Sequence, residues 1–280
     1  MADARDLKSL IPKGVCGFES RRRHWLCEFS LAFNFIESVT ASGSVFMKSR
    51  MQIETLPTGD DVAARAAQII ARDARSAVDA RGLFVMAVSG GRTPWQMLRA
   101  LANEDVPWAK VHVVQVDERI APAGDPDRNL THLRESLLSH ASIPQEQIHA
   151  MPVEMGDLDL ACQEYTELLR SICGQPAVID LAHLGLGPDG HTASLIPGDP
   201  VCEVQNAEVA LTGIYQNRRR MTLTYPILNR SRHILWVVTG GEKASMLPRL
   251  LAGDPTIPAG PIAQQSATLL ADAPAAAELK

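Results

Sequence analysis

Four apolar runs in this chain each empty into a polar or glycine-rich loop, and this repetition is what most constrains the fold. Leu83–Val88 enters Ser89-Gly90-Gly91-Arg92-Thr93-Pro94, and Val111–Val116 enters Asp117-Glu118-Arg119. Val178–Leu186, interrupted by Asp180, His183 and Gly185, enters Gly187-Pro188-Asp189-Gly190-His191; Ile234–Thr239 enters Gly240-Gly241. Short apolar runs without polar alternation are what strands covered on both faces require. Helical patterns fall between them. In Asp60–Arg81, Val62, Ala66, Ile69, Ile70 and Val78 recur near helical spacing, as do Leu158, Ala161, Tyr165, Leu168, Leu169 and Ile172 further on. Shorter helices are predicted at Pro94–Leu101, Leu130–His140, Glu242–Leu251 and Pro274–Leu279, with further strands at Gln52–Leu56, Arg218–Thr224 and Ala267–Leu270. Thr93 reads as an N-cap with Pro94 at the first helical position and Gln96 at capping-box spacing, and Asn129 reads as a cap for the helix after it. Strands alternating with helices predict an α/β fold: a mainly parallel, Rossmann-like sheet with helices on both faces, forming a single domain over residues 51–280.

The charge balance narrows the partners. A net charge of −5 and a pI near 5.9 argue against nucleic acid, which usually meets a basic patch. No run approaches the roughly 18 consecutive apolar residues that a membrane span needs. The five cysteines are odd in number and contain no C-x-x-C pair, which fits reduced thiols and a cytoplasmic setting. Residues 1–50 read differently from the rest. Arg21-Arg22-Arg23 precede an apolar stretch, Trp25–Ile36, and Ala41-Ser42-Gly43 could be forced into a cleavage site. Glu28, Ser30 and Asn34 interrupt that stretch, so a poorly ordered N-terminal extension, or an over-long start whose natural beginning is Met47 or Met51, is the preferred reading.

In open α/β sheets, ligands bind beyond the carboxyl ends of the strands, so the four loops could converge on one pocket. The third loop holds a literal G-x-G-x-x-G, Gly185 to Gly190, but Pro197 cuts the segment where a dinucleotide fold needs a long helix. The first loop is a better anion site: Gly90 and Gly91 let backbone N–H groups point inward at a helix start, and Arg92 adds charge. It lacks the Walker lysine, so ATP is not implied. Asp117-Glu118-Arg119 could hold a general base or be a solvated charge cluster. Lys243 could approach an anion from a helix start or lie on the surface, and one of Arg218–Arg220 could turn inward from a solvated face. His191 stands out as a proton-transfer candidate, since its unperturbed pKa near ~6.5 suits neutral pH. Zinc is disfavoured because His183 and His191 are separated by a glycine loop with no cysteine nearby, and no G-x-S-x-G elbow is present for a serine hydrolase.

Taken in order, V-S-G-G-R-T-P (Val88–Pro94), V-D-E-R (Val116–Arg119), D-P-D-R-N (Asp125–Asn129), G-L-G-P-D-G-H-T-A-S-L-I-P-G (Gly185–Gly198), R-M-T-L-T (Arg220–Thr224) and G-G-E-K-A (Gly240–Ala244) resemble the 6-phosphogluconolactonase family, within the larger glucosamine-6-phosphate isomerase/deaminase superfamily. The related deaminases carry D-G-H-I-A-F-N-E where this chain has Asp189-Gly190-His191-Thr192-Ala193-Ser194-Leu195, which favours the lactonase. Arg128 stands where the lactonases commonly have serine, and Ile196 replaces the usual aromatic before Pro197.

The resemblance implies hydrolysis of a sugar-phosphate lactone in the oxidative pentose phosphate pathway, with no metal or organic cofactor. It implies His191 as the group that activates water, with Asp189 or an acid from Asp117-Glu118 orienting it. Gly90, Gly91, Arg92, Thr93, Arg119, Asn129, Gly187, Arg220 and Lys243 are the implied substrate contacts. A monomer or homodimer, free of nucleic acid and membrane, is expected.

Overall fold

A computed structural model describes residues 51–279 of the chain. The expected N-terminal extension, residues 1–50, lies outside the described residues. In chain order the principal elements are β1 (Gln52–Leu56), α1 (Gly59–Arg81), β2 (Phe84–Val88), α2 (Arg92–Leu101), β3 (Val111–Gln115), β4 (Asp117–Arg119), α3 (Asn129–Leu133), β5 (Ile148–His149) and α4 (Leu158–Cys173). They continue with β6 (Leu181–Leu184), β7 (Val209–Leu211), β8 (Arg220–Leu223), α5 (Tyr225–Leu228), β9 (His233–Val238), α6 (Leu247–Leu251) and β10 (Ala267–Asp272).

Seven strands pair in the order β1-β10-β9-β6-β2-β3-β5, and every pairing is parallel. The expected mainly parallel α/β sheet is therefore the one observed. Strand alternation divides the core in two. Phe84, Met86 and Val88 pack with Ile70 of α1 and Met97 of α2, whereas Val85 and Ala87 belong to the opposite layer with Tyr165 and Leu169 of α4 and Leu250 of α6. A strand with apolar partners on both faces must be apolar at every position, which is why β2 reads as an unbroken run.

The chain runs outward from β2 to β3 and β5, then returns to lay β6 on the other side of β2 and proceeds through β9 to β10. The switch point therefore lies between β2 and β6, where the crevice at the carboxyl ends of parallel strands opens. Ser89 joins the two strands there: its N–H donates to His183 Nδ1 at 3.3 Å and its hydroxyl to the His183 carbonyl at 2.9 Å. A second sheet, β4-β8-β7, is antiparallel and was not anticipated as a unit, because its strands are only three or four residues long.

Several local expectations are corrected. α2 begins at Arg92 with Gly91 as its uncapped N-cap; Thr93 Oγ1 instead meets Thr239 Oγ1 at 2.5 Å, and Gln96 donates to Asp60 at 3.2 Å. Asn129 is the first residue of α3, not its cap. The buried Glu118 carboxylate takes the N–H groups of Asn129 and Leu130, each at 2.8 Å, so the helix start is satisfied from a distant strand. The helix expected over Glu242–Leu251 is a short 3-10 turn followed by α6, because Pro248 has no N–H to give to a continuous helix. Pro274–Leu279 forms turns rather than a helix, with the Ala275 N–H taken by Asp272 Oδ1 at 2.9 Å.

Candidate active site

The four strand-end loops do converge. A cavity of about 800 Å³ is lined by Ser89 and Gly90 after β2, Asp117 after β3, Gly187 after β6 and Gly240 after β9. Of the residues singled out from the sequence, Gly90, Gly91, Arg92, Thr93, Asp117, Arg119, Asn129, Gly187, His191, Arg220 and Lys243 all face it. Asp189 does not line it. It stands behind His191.

His191 and Asp189 form a hydrogen-bonded pair, Nδ1 to Oδ1 at 2.5 Å, and the same carboxylate oxygen accepts the His191 backbone N–H at 3.2 Å. The other oxygen, Oδ2, accepts the Tyr215 hydroxyl at 3.0 Å. Partial burial pushes the Asp189 carboxyl up, but His191 and the hydrogen bonds from His191 and Tyr215 together outweigh it and hold the group below its ordinary value. Asp189 is thus a carboxylate that fixes the ring, and among the described residues the Nε2 edge of His191 has no hydrogen-bond partner. Gly187 makes room for this pair: a Cβ there would stand 2.1 Å from His191 Nδ1 and 2.6 Å from Asp189 Oδ1. Any side chain at residue 187 would displace the imidazole.

The second sheet brings two cations together. Arg119 of β4 lies directly opposite Arg220 of β8 in antiparallel register. Like charges facing each other across strands are unfavourable unless an anion answers them. Asp117 supplies part of that answer. Its Oδ2 accepts Ser194 Oγ at 2.6 Å, and Ser194 Oγ in turn lies 3.4 Å from Arg220 Nη1. Burial lowers the Arg220 pKa from its ordinary value, Asp117 opposes that shift and Arg119 adds to it. Among the described residues, the Nε atoms of Arg119 and Arg220 are both buried without a hydrogen-bond partner. Asp117 therefore sits in the site, with Ser194 and Asn129 as its hydrogen-bond partners rather than His191.

Asn129 ties the first loop to this network. Its Nδ2 donates to the Asp117 carbonyl at 2.9 Å and its Oδ1 accepts from Arg119 Nη1 at 2.8 Å. Gly90 presses against it so closely that a Cβ would stand 1.8 Å from Asn129 Oδ1. Arg128, the departure noted before Asn129, turns to Glu118 at 3.4 Å and Glu154 at 3.5 Å and leaves the Asn129 contacts intact. Arg92 and Lys243 occupy further parts of the wall; Lys243 has Glu242 at 3.7 Å.

Among the residues at the site that went unassigned from the sequence are Tyr215, Gln216 and, in its bridging role, Ser194. Ser194 lies within the quoted Gly185–Gly198 stretch, so only its partners were hidden. Tyr215 sits in an irregular loop whose position over His191 no local pattern signals.

The fold thus gathers a histidine–carboxylate pair and several cationic side chains around one cavity at the switch point. The family model described as glucosamine-6-phosphate isomerases/6-phosphogluconolactonase matches residues 57–271. A 6-phosphogluconolactonase of Mycobacterium tuberculosis is 36% identical over 241 residues, which cover 81% of this chain and 98% of that protein. The crystal structure of 6-phosphogluconolactonase from Thermotoga maritima superposes with a TM-score of 0.71 at 28% identity, over 80% of this chain and 99% of that one. A monomeric glucosamine-6-phosphate deaminase superposes equally well, with a TM-score of 0.72 over 81% of this chain and 100% of that one, but at 20% identity that likeness shows the fold alone. The chain belongs to the glucosamine-6-phosphate isomerase/6-phosphogluconolactonase family.

Proposed function

We propose that this chain hydrolyses 6-phosphogluconolactone to 6-phosphogluconate in the oxidative pentose phosphate pathway, with water activated by His191. The observation that carries the reading is the Asp189–His191 pair at 2.5 Å beside a cavity lined by Arg92, Arg119, Arg220 and Lys243. Asp189 takes the Nδ1–H hydrogen bond and leaves Nε2 bare to accept a proton from water. The resulting hydroxide adds to the lactone carbonyl. Collapse of the tetrahedral intermediate breaks the bond to the ring oxygen, and the imidazolium returns its proton there. One water enters and one open-chain acid leaves.

The arginines and Lys243 divide two tasks, holding the phosphate and stabilising charge on the carbonyl oxygen. Gly90, Gly91, Thr93, Asn129 and Gly187 complete the substrate contacts. Asp117 keeps Arg220 in place through Ser194. Because δ-lactones already hydrolyse in water, positioning and one base suffice, without a metal or organic cofactor. The names of the relatives support a lactone over an amino sugar, as does Thr192-Ala193-Ser194-Leu195 after His191.

The proposal places catalysis in residues 51–280, as a monomer or homodimer. Its cytoplasmic setting is supported by Cys162, Cys173 and Cys202, all free thiols. No helix among the described residues is long and apolar enough to cross a membrane.

The test is acid release from freshly made lactone. The protein should exceed the buffer blank and release no ammonia from glucosamine 6-phosphate. Ammonia release would support a deaminase instead, and binding of 6-phosphogluconate without turnover would support a non-catalytic regulator.

A further inference from the structure

We infer that Tyr215 is a positioning residue for the His191 base, delivered to the site by a hairpin tip that the chain clamps in place. The tip spans Tyr215 to Arg218, between β7 and β8. Tyr215 N–H donates to the Arg218 carbonyl at 2.9 Å, and Arg218 N–H returns to the Tyr215 carbonyl at 3.2 Å. Gln216 and Asn217 between them have φ of 50° and 63°. Two consecutive residues with positive φ make the tight turn whose twist suits an antiparallel pair, and asparagine tolerates that conformation well.

The clamp is ionic. Arg218 Nη2 lies 3.0 Å from Asp125 Oδ2 and 3.0 Å from Asp127 Oδ2, both in the loop before α3. Tyr215 is thereby held over two working groups at once. Its hydroxyl donates to Asp189 Oδ2, and its ring meets the His191 ring edge-on, with centroids 5.7 Å apart and planes at 65°. The Arg220 guanidinium carbon lies 5.0 Å from the centre of the same ring. A cation over an aromatic face gains attraction without needing a hydrogen bond, which matters for a side chain whose Nε is buried and unpartnered.

Tyr215 does not line the cavity, so it acts through its neighbours. With Oδ2 occupied by the tyrosine, Asp189 has Oδ1 aimed at Nδ1 and cannot swing away. Without the hydroxyl, the carboxylate is free to rotate, and the imidazole loses its fixed tautomer. The ring itself serves Arg220. This division separates two substitutions. Tyr215→Phe removes the hydroxyl and keeps the ring; Tyr215→Ala removes both.

The kinetic half of the test rests on the lactone reading proposed above, and the spectroscopic half does not. Tyr215→Phe should lower kcat about tenfold with KM changed less than about twofold, the size expected for one hydrogen bond to a charged group. Tyr215→Ala should also raise KM, because Arg220 loses its cover. In an Asp189→Asn background, Tyr215→Phe should cost nothing further, since its effect passes through that carboxylate. Independently of turnover, nitrogen-15 NMR of the His191 ring should show Nδ1 protonated in the wild type and a mixture of tautomers in Tyr215→Phe. Wild-type kcat in Tyr215→Phe, or losses that multiply in the double variant, would overturn the inference. So would an unchanged His191 tautomer. A wild-type protein inactive on the lactone but showing the tautomer change would overturn the proposed substrate and leave the role of Tyr215 standing.

Discussion

Asp189 and His191 are separated by a single glycine, yet their side chains meet, carboxylate Oδ1 to imidazole Nδ1 at 2.5 Å. The contact fixes the orientation of a loop histidine, and the proposed base role of His191 rests on it. Asp189→Asn keeps the size of the side chain but removes the charge that opposes a growing imidazolium. It should lower kcat about 100-fold with KM little changed, less than the loss in a serine-protease triad because the lactone already reacts in water. Parallel steady-state measurements of both constants check this; a rise in KM alone would point to a substrate-binding role.

Gly187 sets the clearance for that pair. In Gly187→Ala, the added Cβ meets the imidazole at 2.1 Å, well inside contact distance. Activity should fall at least about 100-fold, as when a base is displaced by an ångström or so. The urea midpoint should change little, because the strain falls on a partly exposed side chain. A variant with wild-type kcat would show that the ring does not need this position.

Asp117 faces two arginines, Arg119 and Arg220, and is joined to the second through Ser194. Asp117→Asn removes the carboxylate that holds Ser194 beside the buried Arg220 and favours the charged form of that arginine. Unfolding in urea at pH 7 should show a loss of about 2 kcal/mol, the usual worth of a buried hydrogen bond to a charged group. Adding 6-phosphogluconate should restore part of it, since the ligand's anionic groups would take over the same task. A loss below about 0.5 kcal/mol, a level ordinary for surface substitutions, would contradict this role.

His183 predicts how stability depends on pH. It is wholly buried in β6, and burial pulls its pKa down to about 4. The unfolded chain binds a proton near pH ~6.5 that the folded chain refuses until about pH 4, so this contribution is complete above ~6.5 and is lost as pH falls toward 4. Between pH 7 and 5 the loss from this residue should be roughly 2 kcal/mol. Urea titrations of the wild type and His183→Gln at both pH values should differ by that amount in their pH dependence. Identical dependence in the two proteins would contradict it.

The sheet and the convergence of its loops were legible because parallel strands covered on both faces have few polar positions to blur them, and β2 has none. Val85 and Met86 look alike in sequence though they face opposite layers. The cavity-lining residues were legible for a different reason: they sit at strand ends, where the sheet fixes them, and they fall within ordered motifs. What stayed hidden depends on contacts distant in sequence. Glu118 caps a helix eleven residues away, a role that local capping rules had assigned to Asn129. Tyr215 reaches Asp189 across 26 residues from a tip too short to show any periodicity. Pro248 was visible as a residue, but where it would divide the helix depended on the packing of Leu247 and Leu250 into the core.

The central claim is that His191 is the base that activates water. The most direct measurement is the rate of acid release from freshly made lactone by His191→Ala, beside its affinity for 6-phosphogluconate. The expected result is loss of most of the enzymatic rate above the buffer blank, with that affinity retained within a few-fold. Full activity in His191→Ala would contradict the proposed role of His191 as the base.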